Sequence, residues 1–234
     1  MKGDIGLSIL SCLIWGSVNA LGVFSAIRWY LPRLQDDSNK LEEIESGMHN
    51  KVKNKRMRST ILLVSTAIAI VCGWIAYNKQ VEIVDMVKIL ITLCILSVIS
   101  ITDIEFYKIP NLCVFMLIIS RVLCFIPEFI MERERFGINC IGSIVTGGLV
   151  TIVLLVISKM THSGIGYGDV KLFGAIGFMY DISLVLYTLV FGFFICAIVS
   201  TILLVAKVKN FKDVLPLGPF IWFGFVATIL LRLY

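Results

Sequence analysis

Seven predominantly apolar runs, each about as long as a bilayer's hydrocarbon is thick, recur along this chain at residues 5–27, 60–77, 83–102, 111–127, 138–158, 182–206 and 215–233. About 20 apolar residues suffice for one helical crossing, so these lengths point to membrane-spanning helices before any other feature is considered. An eighth apolar stretch, residues 170–180, is too short to cross alone at about 1.5 Å of rise per residue. It must tilt, join the helix after it, or sit where the bilayer thins at Asp181. Of the 234 residues 58% are hydrophobic and only 16% charged, far more apolar than a water-soluble domain needs for its core. The expected fold is therefore all-α, a polytopic membrane helical bundle of about eight membrane segments. The first run is too long for the h-region of a cleaved signal and is followed by basic residues, so it reads as a retained helix. Lys88, one turn inside the third run, is expected to snorkel to the interface.

Lys and Arg set the orientation. With the N-terminus outside, the cytoplasmic segments hold fourteen of them, including Arg28, Arg33, the basic members of 51–58, Lys108, Lys159 and Lys171. The outer segments hold five: Lys2, Lys79, Arg133, Arg135 and Arg232. That asymmetry predicts both termini outside a plasma or inner membrane, with the loops after the third and fifth runs in the cytoplasm. The net charge of +5 is then a positive-inside signature, and no nucleic-acid partner is implied.

Three regions follow: a first membrane helix at 1–27, a basic cytoplasmic loop at 28–59 ending in KVKNKRMRS, and a membrane core at 60–234. The loop reads as a solvated segment touching anionic headgroups. The seven cysteines lie in or beside apolar runs and form no C-x-x-C pair, so they read as packing or lipid-facing residues, with no metal site or disulfide framework.

Two acids break this apolar pattern. In ITDIEFYKIPN, residues 101–111, Asp103 stands at the C-terminal end of a membrane helix, where the macrodipole disfavours a carboxylate. In GIGYGDVKLFGAIG, residues 164–177, Gly164, Gly166 and Gly168 lead directly into Asp169, and the apolar sequence then resumes. Glycines at alternate positions allow a sharp bend and close backbone approach. Asp169 has an equally good structural explanation as a helix N-cap, and the glycines as a simple turn. GIGYGD lacks the spacing of a phosphate-binding loop. His162, with no second His near it, reads as an interface residue. The two acids say more together. Topology puts both at the cytoplasmic membrane edge, where ionisable groups are costly and usually face a protein partner. Two carboxylates sharing a proton can activate water, one as base and one as acid. Glu105, the other acid nearby, reads as solvated in the loop.

At this point the motifs resemble those of the type IV prepilin leader peptidases. DIEFYKIPN, with Ile109, Pro110 and Asn111 closing it, is similar to the family's first aspartate motif, and GIGYGDVKLFGAIG to its G-x-G-D motif. WGSVNALGVFSAIRWYLPR (15–33) resembles the family's first helix and its exit, and LPLGPFIWFG (215–224) its Gly-Pro-Phe signature. The resemblance implies an aspartic, GxGD-type intramembrane peptidase with Asp103 and Asp169 as the catalytic pair and Gly166 and Gly168 shaping the loop. It would remove basic leaders from prepilins or pseudopilins of pilus, type II secretion or competence systems, on the cytoplasmic side and without a metal or cofactor. Many members also N-methylate the product using S-adenosylmethionine. Their first loop often carries paired C-x-x-C zinc motifs, whereas residues 28–59 contain no cysteine, so methyl transfer stays open. An archaeal-type preflagellin peptidase is the nearest rival. Proton-coupled transport and a purely structural assembly role are the readings from other classes. The sequence carries no signal for an oligomeric state.

Overall fold

The computed structural model describes residues 3–29, 50–131, 133–161, 165–207 and 215–233. Among them the regular structure is eight helices and no strand: α1 Gly3–Trp29, α2 Asn50–Asn78, α3 Ile83–Phe106, α4 Asn111–Met131, α5 Arg133–Met160, α6 Tyr167–Met179, α7 Ile182–Val205 and α8 Gly218–Leu233. Among the described residues, five helical stretches are long and apolar enough to cross a membrane, namely Arg58–Asn78 within α2, and α3, α4, α5 and α7. The chain is thus a multi-pass helical bundle, which satisfies the backbone internally where water is absent.

The helices overrun the apolar runs that announce them. α2 begins at Asn50, ten residues before its apolar run, because helical hydrogen bonding continues where the residues turn polar. α5 likewise starts at Arg133 rather than 138, whereas α8 starts three residues later than its apolar run, at Gly218. Pro127 does not end α4; the helix carries it internally and continues one turn to Met131. The short stretch 170–180 forms α6, whose 13 residues rise only about 20 Å. It is separate from α7, because Tyr180 and Asp181 are extended between them.

α6 is the innermost element. Val170, Leu172, Phe173, Ala175, Ile176 and Met179 are all buried, the pattern of a helix enclosed on every side. Close backbone approach fixes it against α5: a Cβ on Gly177 would lie 3.2 Å from Gly147 Cα, the small-residue contact that membrane helices use in place of a hydrophobic drive. α3 is the other central helix, buried over much of its length from Val84 to Asp103. Its buried hydroxyls bond back to their own helix, Thr92 to the Lys88 carbonyl, Ser97 to Leu93 and Ser100 to Leu96. α4, α5 and α7 turn large apolar side chains outward, such as Phe115, Ile126, Ile141, Ile152, Tyr187 and Phe194, which suits a lipid-facing ring.

Lys88 does not snorkel. It is buried and ion-paired with Asp85 on its own helix and with Glu128 of α4, which also takes Arg121. A lone ammonium would reach for water; one with a carboxylate beside it stays inside.

Candidate active site

α3 ends in the first acidic motif. Tyr107 adopts a left-handed conformation (φ 52°) and donates its N–H to the Asp103 carbonyl at 2.9 Å. Non-glycine residues seldom occupy that region, and such outliers concentrate at functional sites. The turn sends Ile109, Pro110 and Asn111 back across the end of the bundle. The Pro110 carbonyl accepts the Cys113 amide at 3.1 Å, and α4 starts at Asn111.

The glycine-rich loop meets this turn directly. Gly166 is the N-cap of α6 and Asp169 lies inside the helix's first turn, so the reading of Asp169 as the N-cap does not hold. Its carboxylate reaches back to the Gly166 amide, as an acid at the third helical position can. A Cβ on Gly168 would sit 3.2 Å from Ile109 Cβ, so the two motifs touch where a larger residue would hold them apart. Lys171 Nζ also donates to Asn111 Oδ1 across the same seam, at 3.3 Å. His162 and Gly164, and residues 30–49 of the expected loop, lie outside the described residues.

Asp103 is buried, and its Oδ2 accepts the backbone N–H of Gly218 at 2.6 Å. This resolves the misfit noted in the sequence. The acid sits at the unfavourable end of α3 but at the favourable N-terminus of α8, where an orphan amide needs an acceptor. Pro219, next in α8, has no amide to satisfy. A Cβ on Gly218 would lie 3.0 Å from both Cβ and Oδ2 of Asp103, so only glycine permits the approach. The Ser100 hydroxyl lies 3.3 Å from the Gly218 carbonyl, which pins the same residue a second time.

Burial pushes the Asp169 carboxyl up to about 6; the Asp103 charge adds to the rise and the Gly166 amide opposes it. The charge of Asp103 is thus felt at Asp169. A folded-state value above the ordinary 3.8 means that the folded protein holds more protons than the unfolded chain between those limits. Stability therefore falls as pH rises through that window. Asp169→Asn keeps an acceptor for Gly166 but has no charge to bury. It should be more stable than the parent at pH 7, by up to about 3 kcal/mol, with the gain gone near pH 4. Thermal unfolding of both proteins at the two pH values checks this, and equal stability at pH 7 would refute it.

Glu105 is not a solvated loop acid. It lies in the last turn of α3, with its side chain 1% exposed, and accepts Arg58 Nε at 2.6 Å and Nη2 at 2.7 Å. Arg58 reaches it because α2 begins early. Two residues apart on one helix, Asp103 and Glu105 face opposite ways; Glu105 ties the end of α3 to α2. Sequence reasoning missed both this pair and the Asp103–Gly218 bond, although the Gly-Pro-Phe signature named Gly218. Among the described residues no group of three or more His, Cys, Asp or Glu gathers where it could hold a metal ion.

The family comparison falls on the same segment. The type IV leader peptidase family model matches residues 90–201. The prepilin leader peptidase/N-methyltransferase of Bacillus subtilis (strain 168) is 27% identical over 169 residues, covering 70% of this chain. The alignment spans 62% of that relative's length. No solved structure matches the chain. Residues 90–201, which carry both acids, the Ile109–Pro110–Asn111 turn and the glycine loop, are thus similar to the type IV leader peptidase family.

Proposed function

We propose that this chain is a prepilin-type leader peptidase that cuts basic leaders from pilin-like precursors, with Asp103 and Asp169 as an aspartic catalytic pair. One observation carries the reading: within a segment matching the leader peptidase family, the two acidic motifs pack together where Gly168 meets Ile109, and the charge of Asp103 reaches Asp169. Such a pair, sharing one proton, supplies both functions that peptide hydrolysis needs. The ionised carboxylate takes a proton from water as the oxygen attacks the scissile carbonyl carbon, and the protonated one gives its proton to the carbonyl oxygen. Collapse of the resulting diol then breaks the C–N bond, with a proton delivered to the leaving amine. The chain's own part is to orient the acids and shield them from bulk water. Incubating membranes that contain the protein with a type IV prepilin should yield leader-free product. Intact precursor would reject the reading. A methyl group on the product's new N-terminus would add S-adenosylmethionine as a cofactor.

The acid pair faces the cytoplasm in this proposal, and the substrates belong to pilus, type II secretion or competence machinery. In a cysteine-free background Lys108→Cys should react with an impermeant thiol reagent only after the membrane is opened, and Glu134→Cys in intact cells. The reverse pattern would invert the orientation.

A further inference from the structure

A cavity of about 690 Å³ opens at the end of the bundle away from the acids. Its buried ammonium, Lys88, is fifteen residues before Asp103 on α3, or about 22 Å along the helix axis. Cations and acids share the lining: Lys88, Arg121, Arg135 and Arg232 against Glu82, Asp85 and Asp181. Glu128, behind Lys88 and Arg121 and paired with both, supplies a fourth acid. Charges of both signs are thus balanced around one space. Arg121 is 3% exposed and spends donors on Ser143 and Glu128, yet a guanidinium has five. Ile138, Ile182 and Ile229 form an apolar wall of the same cavity.

That combination selects its occupant. Water alone would leave the apolar wall poorly solvated. An anionic headgroup would bring one uncompensated charge into a site whose charges already balance. A zwitterion with a phosphate and a primary ammonium adds no net charge. Arg232 is already paired with Asp181 and Arg121 with Glu128, so the headgroup phosphate would take only the arginines' remaining N–H groups, while the ammonium donates to the acids and the glyceride end meets the isoleucines. A quaternary ammonium has no N–H to donate. We propose that this cavity binds one phospholipid with a phosphoethanolamine headgroup, from the leaflet opposite the acid pair. The site is independent of the peptidase reading and would stand if that reading failed.

Gly142 provides the clean test, because it lines the cavity and a Cβ there would meet nothing within 4 Å. Gly142→Leu therefore adds bulk at the cavity wall at a position whose Cβ meets no neighbour, and it removes a helix-interior glycine. The detergent-purified full chain is offered an equimolar mixture of phosphatidylethanolamine, phosphatidylglycerol and phosphatidylcholine with matched acyl chains, and bound lipid is counted by native mass spectrometry. One phosphatidylethanolamine per chain is expected, favoured about tenfold over each competitor, or about 1.4 kcal/mol. Gly142→Leu should lose it with an unchanged melting temperature, and Glu82→Gln should narrow the preference over phosphatidylcholine. Neither inorganic phosphate nor soluble phosphoethanolamine should displace it. Equal retention of the three lipids, a preference for phosphatidylglycerol, displacement by either soluble competitor, or full retention by Gly142→Leu would overturn the proposal.

Discussion

Asp103→Asn and Asp169→Asn should each abolish leader removal while the protein still inserts and accumulates. Asparagine keeps the shape and the acceptor for Gly218 or Gly166, but it can neither take a proton from water nor give one to a carbonyl. General acid–base catalysis contributes about 10²–10⁴-fold, and disabling either member disables the pair, so losses on the order of 10⁴-fold are expected. The double variant should be no worse than either single one, because residues acting as a unit lose rate non-additively. Glu134→Gln is the matched control, an exposed acid at the start of α5, remote from the site. Glu105→Gln will not serve, because it would strand Arg58 against a neutral partner. Quantifying cleavage of a prepilin by membranes with equal enzyme content decides the matter. Wild-type cleavage by Asp169→Asn would end the assignment.

Gly218→Val should be the most damaging change outside the two acids. The residue touches no reacting atom in this scheme, yet even the first carbon of a side chain would meet Asp103 at 3.0 Å, and valine adds two methyls beyond it. Either the carboxylate or the start of α8 must move, and the 2.6 Å amide contact is lost. Displacements of about 1 Å at a reacting group can cost roughly 10²-fold in rate. Turnover should fall by that order while the bundle melts within a few degrees of the parent, since the contact lies at a helix end. Gly218→Ala should lie between the two. Full activity in Gly218→Val would show that the amide does not position Asp103.

Hydropathy made the bundle readable because a bilayer imposes one length on every crossing, and the two acids stood out because little else polar interrupts those crossings. What stayed hidden was pairing at long separation. Nothing near Asp103 in the sequence announces that its partner is an amide 115 residues later. Hydropathy also dates a helix from its first apolar residue, which hid residues 50–59 of α2 and with them the reach of Arg58 to Glu105. The ionic cluster of Lys88, Arg121 and Glu128 left a fainter trace. Arg121 and Glu128 are two turns apart on one face of α4, and an arginine inside an apolar run needs a partner. Pro127 between them suggested that α4 had already ended.

The bond from Gly218 to Asp103 also gives the molecule an order of completion. α3 and α6 precede α8 in the chain, so both carboxylates are synthesised before the amide that holds Asp103. Until α8 docks, Asp103 lacks the amide that holds it, and the half-made protein is a bundle with its acids unaligned. A chain truncated before Leu217 and released from the ribosome should insert stably and cleave nothing, and cleavage by such a chain would contradict this. If the acids are the catalytic pair proposed above, the last helix is a maturation step, and the site stays incomplete until the whole bundle has assembled.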